Sequence, residues 1–254
     1  MIEAKDVTKS FGESVVLDSI SLKFETGKCN LVIGQSGSGK TVLMKCLVGL
    51  YEIDRGTVIF DDKLLTRMSF DEMKLVRQDI GMLFQGGALF DSMTVEQNVM
   101  FPLAMFTDKT IEERRDRANF CLSRVNLENA NKLLPAEISG GMKKRVAIAR
   151  AIAMNPKYLF CDEPNSGLDP HTASVIDNLI KEITEEYKMT TVINTHDMNS
   201  VIEIGDKVFF IYKGRLWWTG DKETILRSDN KELNEFVFAT QLTRKIKELR
   251  NSNV

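Results

Sequence analysis

The chain has 254 residues, of which 43% are hydrophobic and 28% are charged. This composition excludes a largely disordered chain and is sufficient for one large domain with a substantial core. The formal net charge of -2 gives no general electrostatic basis for nucleic-acid binding.

The N-terminus lacks a basic region followed by an apolar run, and no segment approaches the roughly 18 apolar residues of a membrane span. Membrane association is therefore expected only through a partner. The four cysteines form no CxxC pair and have no histidines at metal-ligand spacing, which favours reduced thiols in a cytosolic protein.

Strand-like and helix-like segments alternate along the chain, which favours the α/β class. Near the N-terminus, Phe11 lies in a strand-like segment, where an aromatic residue is often part of the core. Residues 29–34 form a short apolar run that enters a Gly-rich turn, and residues 41–48 then show helical spacing. This order predicts strand, loop and helix.

The turn at residues 34–41 matches the pattern GxxxxGK[ST]. Glycines allow successive N–H groups to point inward, and the N-terminus of the following helix adds partial positive charge, so both favour phosphate. The lysine would reach the β and γ phosphates, and the threonine hydroxyl would coordinate Mg²⁺. The alternative is a flexible Gly/Ser turn. The predicted nucleotide-binding residues are Gly34, Gln35, Ser36, Gly37, Ser38, Gly39, Lys40 and Thr41.

Residues 56–67 resemble a hairpin that could join the N-terminal strands in an antiparallel layer. Gln85 ends the apolar run 80–84, and its alternative interpretation is an ordinary surface glutamine. From about 91 to 154 the pattern is largely helical.

Ser139, Gly140 and Gly141 form a second helix start with phosphate-binding potential. Ser139 can cap the helix, and the two glycines allow backbone N–H groups to approach a phosphate closely. A plain helix cap is the alternative. The next basic residues, Lys143, Lys144 and Arg145, are expected on the solvated face of this helix.

The apolar strand 158–161 ends in Asp162 and Glu163. Asp162 could bind Mg²⁺ through water, and Glu163 could accept a proton from an attacking water. His196 follows the apolar run 191–195, so it should lie at a strand end beside the γ-phosphate. By contrast, His171 follows Asp-Pro at a helix start and is expected to be a surface or capping residue outside the site.

These motifs together, in this order, resemble an ABC-type ATPase across nearly all of residues 1–227. The resemblance implies a P-loop NTPase fold with a RecA-like parallel sheet core, an N-terminal antiparallel β layer and an inserted α-helical subdomain at about 91–154. It also implies ATP and Mg²⁺ as cofactors. Residues 228–254 would form a C-terminal helical extension.

The resemblance assigns roles to individual residues. Gln85 would be the Q-loop glutamine that touches Mg²⁺ or the attacking water, and His196 would be the switch histidine. Phe11 would stack on adenine. Residues 139–141 would face the nucleotide of a second copy in a head-to-tail pair, and Asp169 of the D-loop would lie at that interface.

Within the family, residues 84–95 and Met142 look like the Mla/Mce-associated ATPases, whereas Ile138 and Asn165 depart from the common pattern. This finer resemblance implies phospholipid transport between the membranes of a diderm bacterium. The expected partners are integral-membrane permease subunits and an Mce-domain protein, with no nucleic acid, and the expected location is the cytoplasmic face of the inner membrane. The apolar residues Ala88, Leu89, Phe90 and Met93 could form a groove for a permease helix or pack inside the helical subdomain.

Two other functions stay open. One is the ATPase of another ABC transporter, for small-molecule import or for lipoprotein or lipid export. The other is a soluble ABC ATPase acting on ribosomes or DNA, although such proteins usually show tandem modules, a basic linker or a long coiled coil.

The tail from about residue 228 is predicted to form one or two amphipathic helices outside the core. Its large apolar residues should dock on a surface, because they have too little local core to fold alone. A sister subunit and the chain's own core are the two possible surfaces. These residues are Phe236, Val237, Phe238 and Leu242.

Overall fold

The computed structural model describes residues 1–238, except for the side chain of Phe70, and these residues form two β-sheets with helices packed around them. The strands are β1 (Ile2–Phe11), β2 (Ser14–Phe24), β3 (Cys29–Ile33), β4 (Arg55–Phe60), β5 (Lys63–Leu64), β6 (Ile80–Leu83), β7 (Tyr158–Asp162), β8 (Thr190–Thr195), β9 (Lys207–Tyr212) and β10 (Arg215–Gly220). The helices are α1 (Lys40–Leu47), α2 (Phe70–Gln78), α3 (Val95–Phe106), α4 (Ile111–Arg124), α5 (Gly140–Ile152), α6 (Pro170–Tyr187), α7 (Met198–Ile204) and α8 (Lys231–Val237).

The larger sheet has the order β10-β9-β3-β8-β7-β6, and all its pairs are parallel except β9 with the edge strand β10. Strand β3 lies between β8 and β9, so Ile33 is paired with both Thr195 and Phe210. The carboxyl ends of β3, β8 and β7 therefore meet at one edge, where open parallel sheets bind ligands. The predicted α/β class with a parallel core sheet is confirmed.

The smaller sheet is antiparallel, with the order β2-β1-β4-β5. Strands β4 and β5 form the hairpin that the sequence predicts, and β4 pairs with β1. Gly56 at the start of β4 has φ of 93°, and a Cβ added there would lie 2.4 Å from the carbonyl oxygen of Lys5. Only glycine fits this close approach of two backbones.

Alternation of side chains along β3 explains why the core has two parts. Leu31 and Ile33 point to the face covered by the helices α3 to α7, whereas Val32 points to the face covered by α1 and the antiparallel sheet. All three side chains are buried, which is typical of a parallel strand covered on both faces. The site edge is therefore supported by close packing above and below.

Helices α3, α4 and α5 follow one another in the stretch predicted to be helical. Thr94 and Thr110 begin α3 and α4 with capping boxes, in which a side chain three residues later bonds back to the cap. Asn98 is completely buried and makes four hydrogen bonds with the backbone of residues 90–94. These bonds hold the segment before α3 against the first turns of that helix. In residues 1–238 no helix is long and apolar enough to cross a membrane.

The start of the C-terminal tail belongs to the core, so the prediction that it lies outside is wrong for α8. Val237 and Phe238 are buried in the cluster beneath the parallel sheet. The Phe236 ring packs on the same cluster, 5.5 Å from the Phe210 ring. The chain's own core is thus the surface on which these three residues dock. The fourth apolar residue, Leu242, and the predicted dimer contact of the remaining tail lie outside the described residues.

Candidate functional site

The loop between β3 and α1 is a narrow cradle. A Cβ at Gly34 would lie 2.3 Å from the carbonyl oxygen of Ile211, so the loop can enter only with glycine at this position. Gly39 has φ of 105° and is the N-cap of α1. The amide of Gly214, in the turn between β9 and β10, donates to the carbonyl oxygen of Ser38 at 3.2 Å. The loop is therefore held from its start to its end.

Lys40 is buried at the first turn of α1, and its Nζ donates to the carbonyl oxygens of Gly34 at 2.8 Å and Gln35 at 3.1 Å. Burial lowers the pKa of its ammonium group, while the carboxylates of Glu163 and Asp162 oppose this shift. The cation is thus placed inside the curve of the loop. A loop with a lysine inside and a helix N-terminus behind it suits a polyphosphate chain.

The Asp162 carboxylate at the end of β7 joins three elements of the fold. Its Oδ1 accepts hydrogen bonds from the Thr41 hydroxyl at 3.2 Å and from the Asn194 amide of β8 at 3.1 Å. Hydroxyl and carboxylate oxygens are the hard ligands that Mg²⁺ prefers, so Thr41 and Asp162 fit this ion. Asn194 was not among the predicted residues, although a buried asparagine at a strand end is a usable signal.

Glu163 and His196 face each other across the ends of β7 and β8. His196 Nδ1 lies 2.8 Å from Glu163 Oε2, and the histidine side chain is 64% exposed. Glu163 has φ of 50°, and its backbone N–H donates to the carbonyl oxygen of Asn194 at 3.0 Å. A non-glycine residue in the left-handed region is uncommon and is held there by its surroundings. The arrangement presents a carboxylate, oriented by an imidazole, beside the phosphate loop.

Gln85 follows β6, the strand that pairs with β7, so it lies at the same sheet edge as Asp162. Its side chain is exposed, and its Nε2 donates a long hydrogen bond of 3.4 Å to Ser166 Oγ. Ser166 lies three residues after Glu163. The structure therefore brings this glutamine to the predicted site.

Residues Ser139, Gly140 and Gly141 start α5 on an exposed surface. Ser139 caps the helix by accepting the N–H of Met142 at 3.2 Å. A Cβ added to Gly141 would lie 2.8 Å from Thr172 Cγ2, which explains the small residue at this position. Thr172 donates its N–H at 3.0 Å to Asp169, the N-cap of α6. Hydrogen bonding from the Thr172 side chain, and then from its backbone N–H, lowers the pKa of the Asp169 carboxyl. The two helix starts thus form one surface.

Two other predicted positions have clear surroundings. Phe11 is 46% exposed at the end of β1 and packs edge-to-face on Tyr51, with ring centroids 5.4 Å apart. It is therefore not a core residue, and its ring is available for stacking. His171 is exposed near the start of α6, as predicted for a surface residue.

The predicted solvated basic face of α5 is wrong at Lys144, which is buried. The residue is only 6% exposed, and its Nζ donates to the carbonyl oxygens of Gln85 and, at 3.4 Å, Glu163. Desolvation lowers the pKa of this ammonium group. The helical pattern could not reveal this burial, because it depends on where β6 and β7 end.

The cysteines are core residues. All four are buried free thiols, and burial raises the pKa of Cys29 to about 12 and the pKa values of Cys46 and Cys121 to about 11. Within residues 1–238 no cluster of three or more metal-ligating side chains occurs. The expectation of reduced, unreactive thiols fits this environment.

In this parallel sheet, a glycine-lined loop follows β3, and the N-terminus of α1 lies behind the loop. An acidic pair lies at the end of β7, two strands away in the sheet. These features together define a P-loop nucleoside triphosphatase. Comparison with known sequences makes this class narrower. The family model for ABC transporters matches residues 17–166. The chain belongs to the ABC transporter family, as an ATP-hydrolysing subunit that binds ATP and uses Mg²⁺.

Curated relatives differ in what they are named to transport. The chain is 37% identical over 236 residues to the probable ribonucleotide transport ATP-binding protein mkl of Mycobacterium leprae (strain TN), covering 93% of this chain and 68% of the relative. It is 39% identical over 243 residues to the methionine import protein MetN of Clostridium tetani (strain Massachusetts / E88), covering 95% and 76%. It is 36% identical over 237 residues to the intermembrane phospholipid transport protein MlaF of Haemophilus influenzae (strain ATCC 51907 / DSM 11121 / KW20 / Rd), covering 93% and 90%.

Among solved structures, the dimeric ATP-binding cassette MJ0796, bound to ADP and Pi, has a TM-score of 0.79 and 33% identity. The structural alignment covers 87% of this chain and 99% of the cassette. The predicted fold, with its antiparallel layer and inserted helices, is confirmed by this similarity.

Proposed function

We propose that the chain energises phospholipid transport between the membranes of a diderm bacterium, from the cytoplasmic face of the inner membrane. The similarity to MlaF over most of that protein's length supports this substrate class, as do Met142 and residues 84–95. The similarity to MetN and mkl supports a second candidate, the uptake of a small polar molecule. The motif around Met142 decides our preference for the lipid.

For hydrolysis, we propose that Glu163 is the general base. The carboxylate accepts the proton of the attacking water, and His196 holds the carboxylate and donates a hydrogen bond towards the γ-phosphate. The pairing of Glu163 with His196 beside the bond from Thr41 to Asp162 is the observation that carries this proposal. Gln85 contacts the water or the cation at the same edge.

For nucleotide binding, we propose that residues 34–41 surround the phosphates and that Phe11 stacks on adenine. Lys40 neutralises phosphate charge. Its Nζ already lies inside the loop, so it needs to move only a short distance to contact a bound phosphate. Thr41, Asp162 and Gln85 would hold Mg²⁺, which supplies further charge neutralisation when bound.

We also propose that the working unit is a head-to-tail dimer. Ser139, Gly140 and Gly141 would complete the nucleotide site of the second copy, with Asp169 at the interface. Ser139, Gly140 and Asp169 are exposed at the starts of α5 and α6, and Gly141 is partly exposed, which supports this arrangement. In a two-fold pair each copy contributes the same surface, so both nucleotide sites would close together.

The partner in the membrane is proposed to be a permease, accompanied by an Mce-domain protein, and nucleic acid is not a proposed partner. The segment after Gln85 offers a suitable surface, because Ala88 and Phe90 are exposed there while Leu89 packs against the core. An apolar helix of the permease could pack on this exposed apolar surface. This segment lies just before the proposed helical subdomain at about 91–154, within a proposed ATPase domain of residues 1–227.

The proposed base is tested with Glu163→Gln. We expect ATP binding to be retained and turnover to fall by roughly 10²- to 10⁴-fold, because the amide cannot accept the proton. Phosphate release and binding of a fluorescent ATP analogue measure the two properties. Glu182→Gln, at an exposed position on α6, controls for the loss of a charge. Wild-type turnover in Glu163→Gln would remove Glu163 from this role.

The substrate class is tested on the complex purified from membranes with its permease. ATP-dependent movement of a labelled phospholipid between donor and acceptor vesicles is the expected result. Uptake of methionine or a ribonucleotide, without lipid movement, would instead establish the second candidate. Co-purification of ribosomal proteins or DNA without a permease would contradict both.

A further inference from the structure

Lys144 is a buried cation that the proposed mechanism does not use. Lysine is almost never buried without a partner, because removing an ammonium group from water is costly. Here the Nζ lies between two main-chain carbonyl oxygens, those of Gln85 and Glu163. The Glu163 residue is the proposed base, and the Gln85 residue is the proposed contact to the attacking water or the cation.

A second side chain of α5 grips the same loop. Arg150 donates from Nη2 to the carbonyl oxygen of Gly87 and from Nη1 to that of Ala88, both at 2.7 Å. Gly87 and Ala88 have φ of 77° and 48°, so this stretch is in left-handed backbone conformations. Lys144 and Arg150 together fix three carbonyl groups after β6 to one helix. Only Lys144 also reaches Glu163.

We propose that Lys144 is a positioning residue for ATP hydrolysis, which fixes the Glu163 peptide and the Gln85 carbonyl group to α5. This inference rests on the proposed role of Glu163 as general base. The φ of 50° at Glu163 requires support from outside the residue. Asn194 holds its N–H, His196 holds its carboxylate, and Lys144 holds its carbonyl group.

The link has a direct consequence for the coupling between subunits. Helix α5 begins at the capped residues Ser139 and Gly140, the surface proposed to face a second copy. Lys144 lies on the next turn of the same helix, so a shift of the helix start is transmitted to the Glu163 peptide over a short rigid path. Binding of the second copy at the start of α5 would therefore also align Glu163 for hydrolysis.

The test uses the full chain with Lys144→Met, which keeps a long side chain but leaves both carbonyl groups without this donor. We expect kcat for ATP hydrolysis to fall by about 100-fold, the effect of a misplacement of about 1 Å, with KM for ATP within about twofold of wild type. Lys144→Arg retains a long donor and should restore part of kcat. Lys157→Met removes a lysine from an exposed ion pair at the start of β7 and should leave kcat unchanged.

Several outcomes would overturn the proposal. Wild-type kcat in Lys144→Met would do so. A variant in which ATP affinity and Tm fall together with kcat would also do so, because that pattern indicates a general structural role. If Lys144→Met does not fold, Lys144→Gln supplies the decision. Its amide is uncharged and one atom shorter than the lysine side chain, so it should hold the two carbonyl groups less well, and a normal kcat would again contradict the role.

The double variant Lys144→Met with Glu163→Gln separates this inference from the proposed function. If Lys144 acts through Glu163, its substitution should change kcat much less once the carboxylate is absent. A full loss of activity in Glu163→Gln with no effect of Lys144→Met contradicts only the inference about Lys144. Normal turnover in Glu163→Gln contradicts the assignment of the base itself.

Discussion

Replacement of Asp177 by asparagine should stabilise the protein, and the gain should be larger at neutral pH than at acidic pH. Asp177 lies on α6 with 2% of its surface exposed, behind the loop that follows Glu163. Among the described residues, its Oδ1 and the Oδ1 of Asn165 have no hydrogen-bond partner. Neither a carboxylate nor a carbonyl oxygen can donate, so the pair leaves two buried acceptors unsatisfied.

The size of the effect follows from the carboxyl pKa. Desolvation raises the pKa of Asp177 from 3.8 to about 6, although hydrogen bonds from Ser200 and Asn165 oppose the shift, and the nearby carboxylates of Asp197 and Glu203 add to it. A difference of about two pKa units corresponds to about 3 kcal/mol of native-state free energy at pH values above 6. The raised pKa means that the folded state binds more protons than the unfolded state between about pH 4 and pH 6. Stability due to this group therefore falls as pH rises through that window.

Asp177→Asn removes the ionisation and supplies an amide donor, so its unfolding free energy should exceed that of wild type by up to about 3 kcal/mol at pH 7.5 and about 1.5 kcal/mol near pH 5. Urea denaturation of the nucleotide-free chain, followed by circular dichroism at both pH values, measures the difference. Asp116→Asn, at an exposed position on α4, controls for the changed net charge. An equal gain at both pH values, or a loss at pH 7.5, would refute the reasoning.

Three further predictions concern packing and catalysis. Asn98→Ala should lower the unfolding free energy by about 2–4 kcal/mol in urea, because four hydrogen bonds to the backbone are lost in a buried place; an unchanged midpoint would contradict this. His196→Ala should reduce phosphate release at saturating ATP by at least about 10²-fold, whereas His171→Ala should have no effect. Equal rates in the two histidine variants would show that the contact with Glu163 is not used. Gly56→Ala should lower Tm, with a loss of about 3 kcal/mol, because its Cβ would meet a backbone oxygen at 2.4 Å; an unchanged Tm would mean that β1 and β4 separate easily.

The sequence predicts the parts of the site that depend on local order. A glycine-rich turn between a buried strand and a helix, and an acidic pair after another buried strand, have the same meaning in any parallel sheet. For this reason the sequence alone predicts the loop at 34–41, Asp162, Glu163 and His196 as site residues, and the structure brings them together at one edge of the sheet.

The parts that were missed depend on contacts between distant segments. Lys144 belongs to a run of basic residues, and its burial requires the ends of β6 and β7 to arrive beside α5. Asp177 carries no local sign that it faces Asn165 and Ser200. The short helix α8 reads as a surface helix, because the cluster that receives Val237 and Phe238 is built from residues elsewhere in the chain.

The central position of β3 determines when the protein becomes functional during its own synthesis. Its neighbours in the sheet, β8 and β9, follow more than 150 residues later in the chain, and the turn after β9 holds the phosphate loop through the bond from Gly214 to Ser38. A growing chain that has released only β1 to β7 from the ribosome has the whole glycine-rich motif but no neighbouring strands to support it. Because chains emerge N-terminus first, ATP capture becomes possible only after β8, β9 and the turn at Gly214 have emerged. A chain truncated before β8 would consequently not hydrolyse ATP in the absence of a transporter.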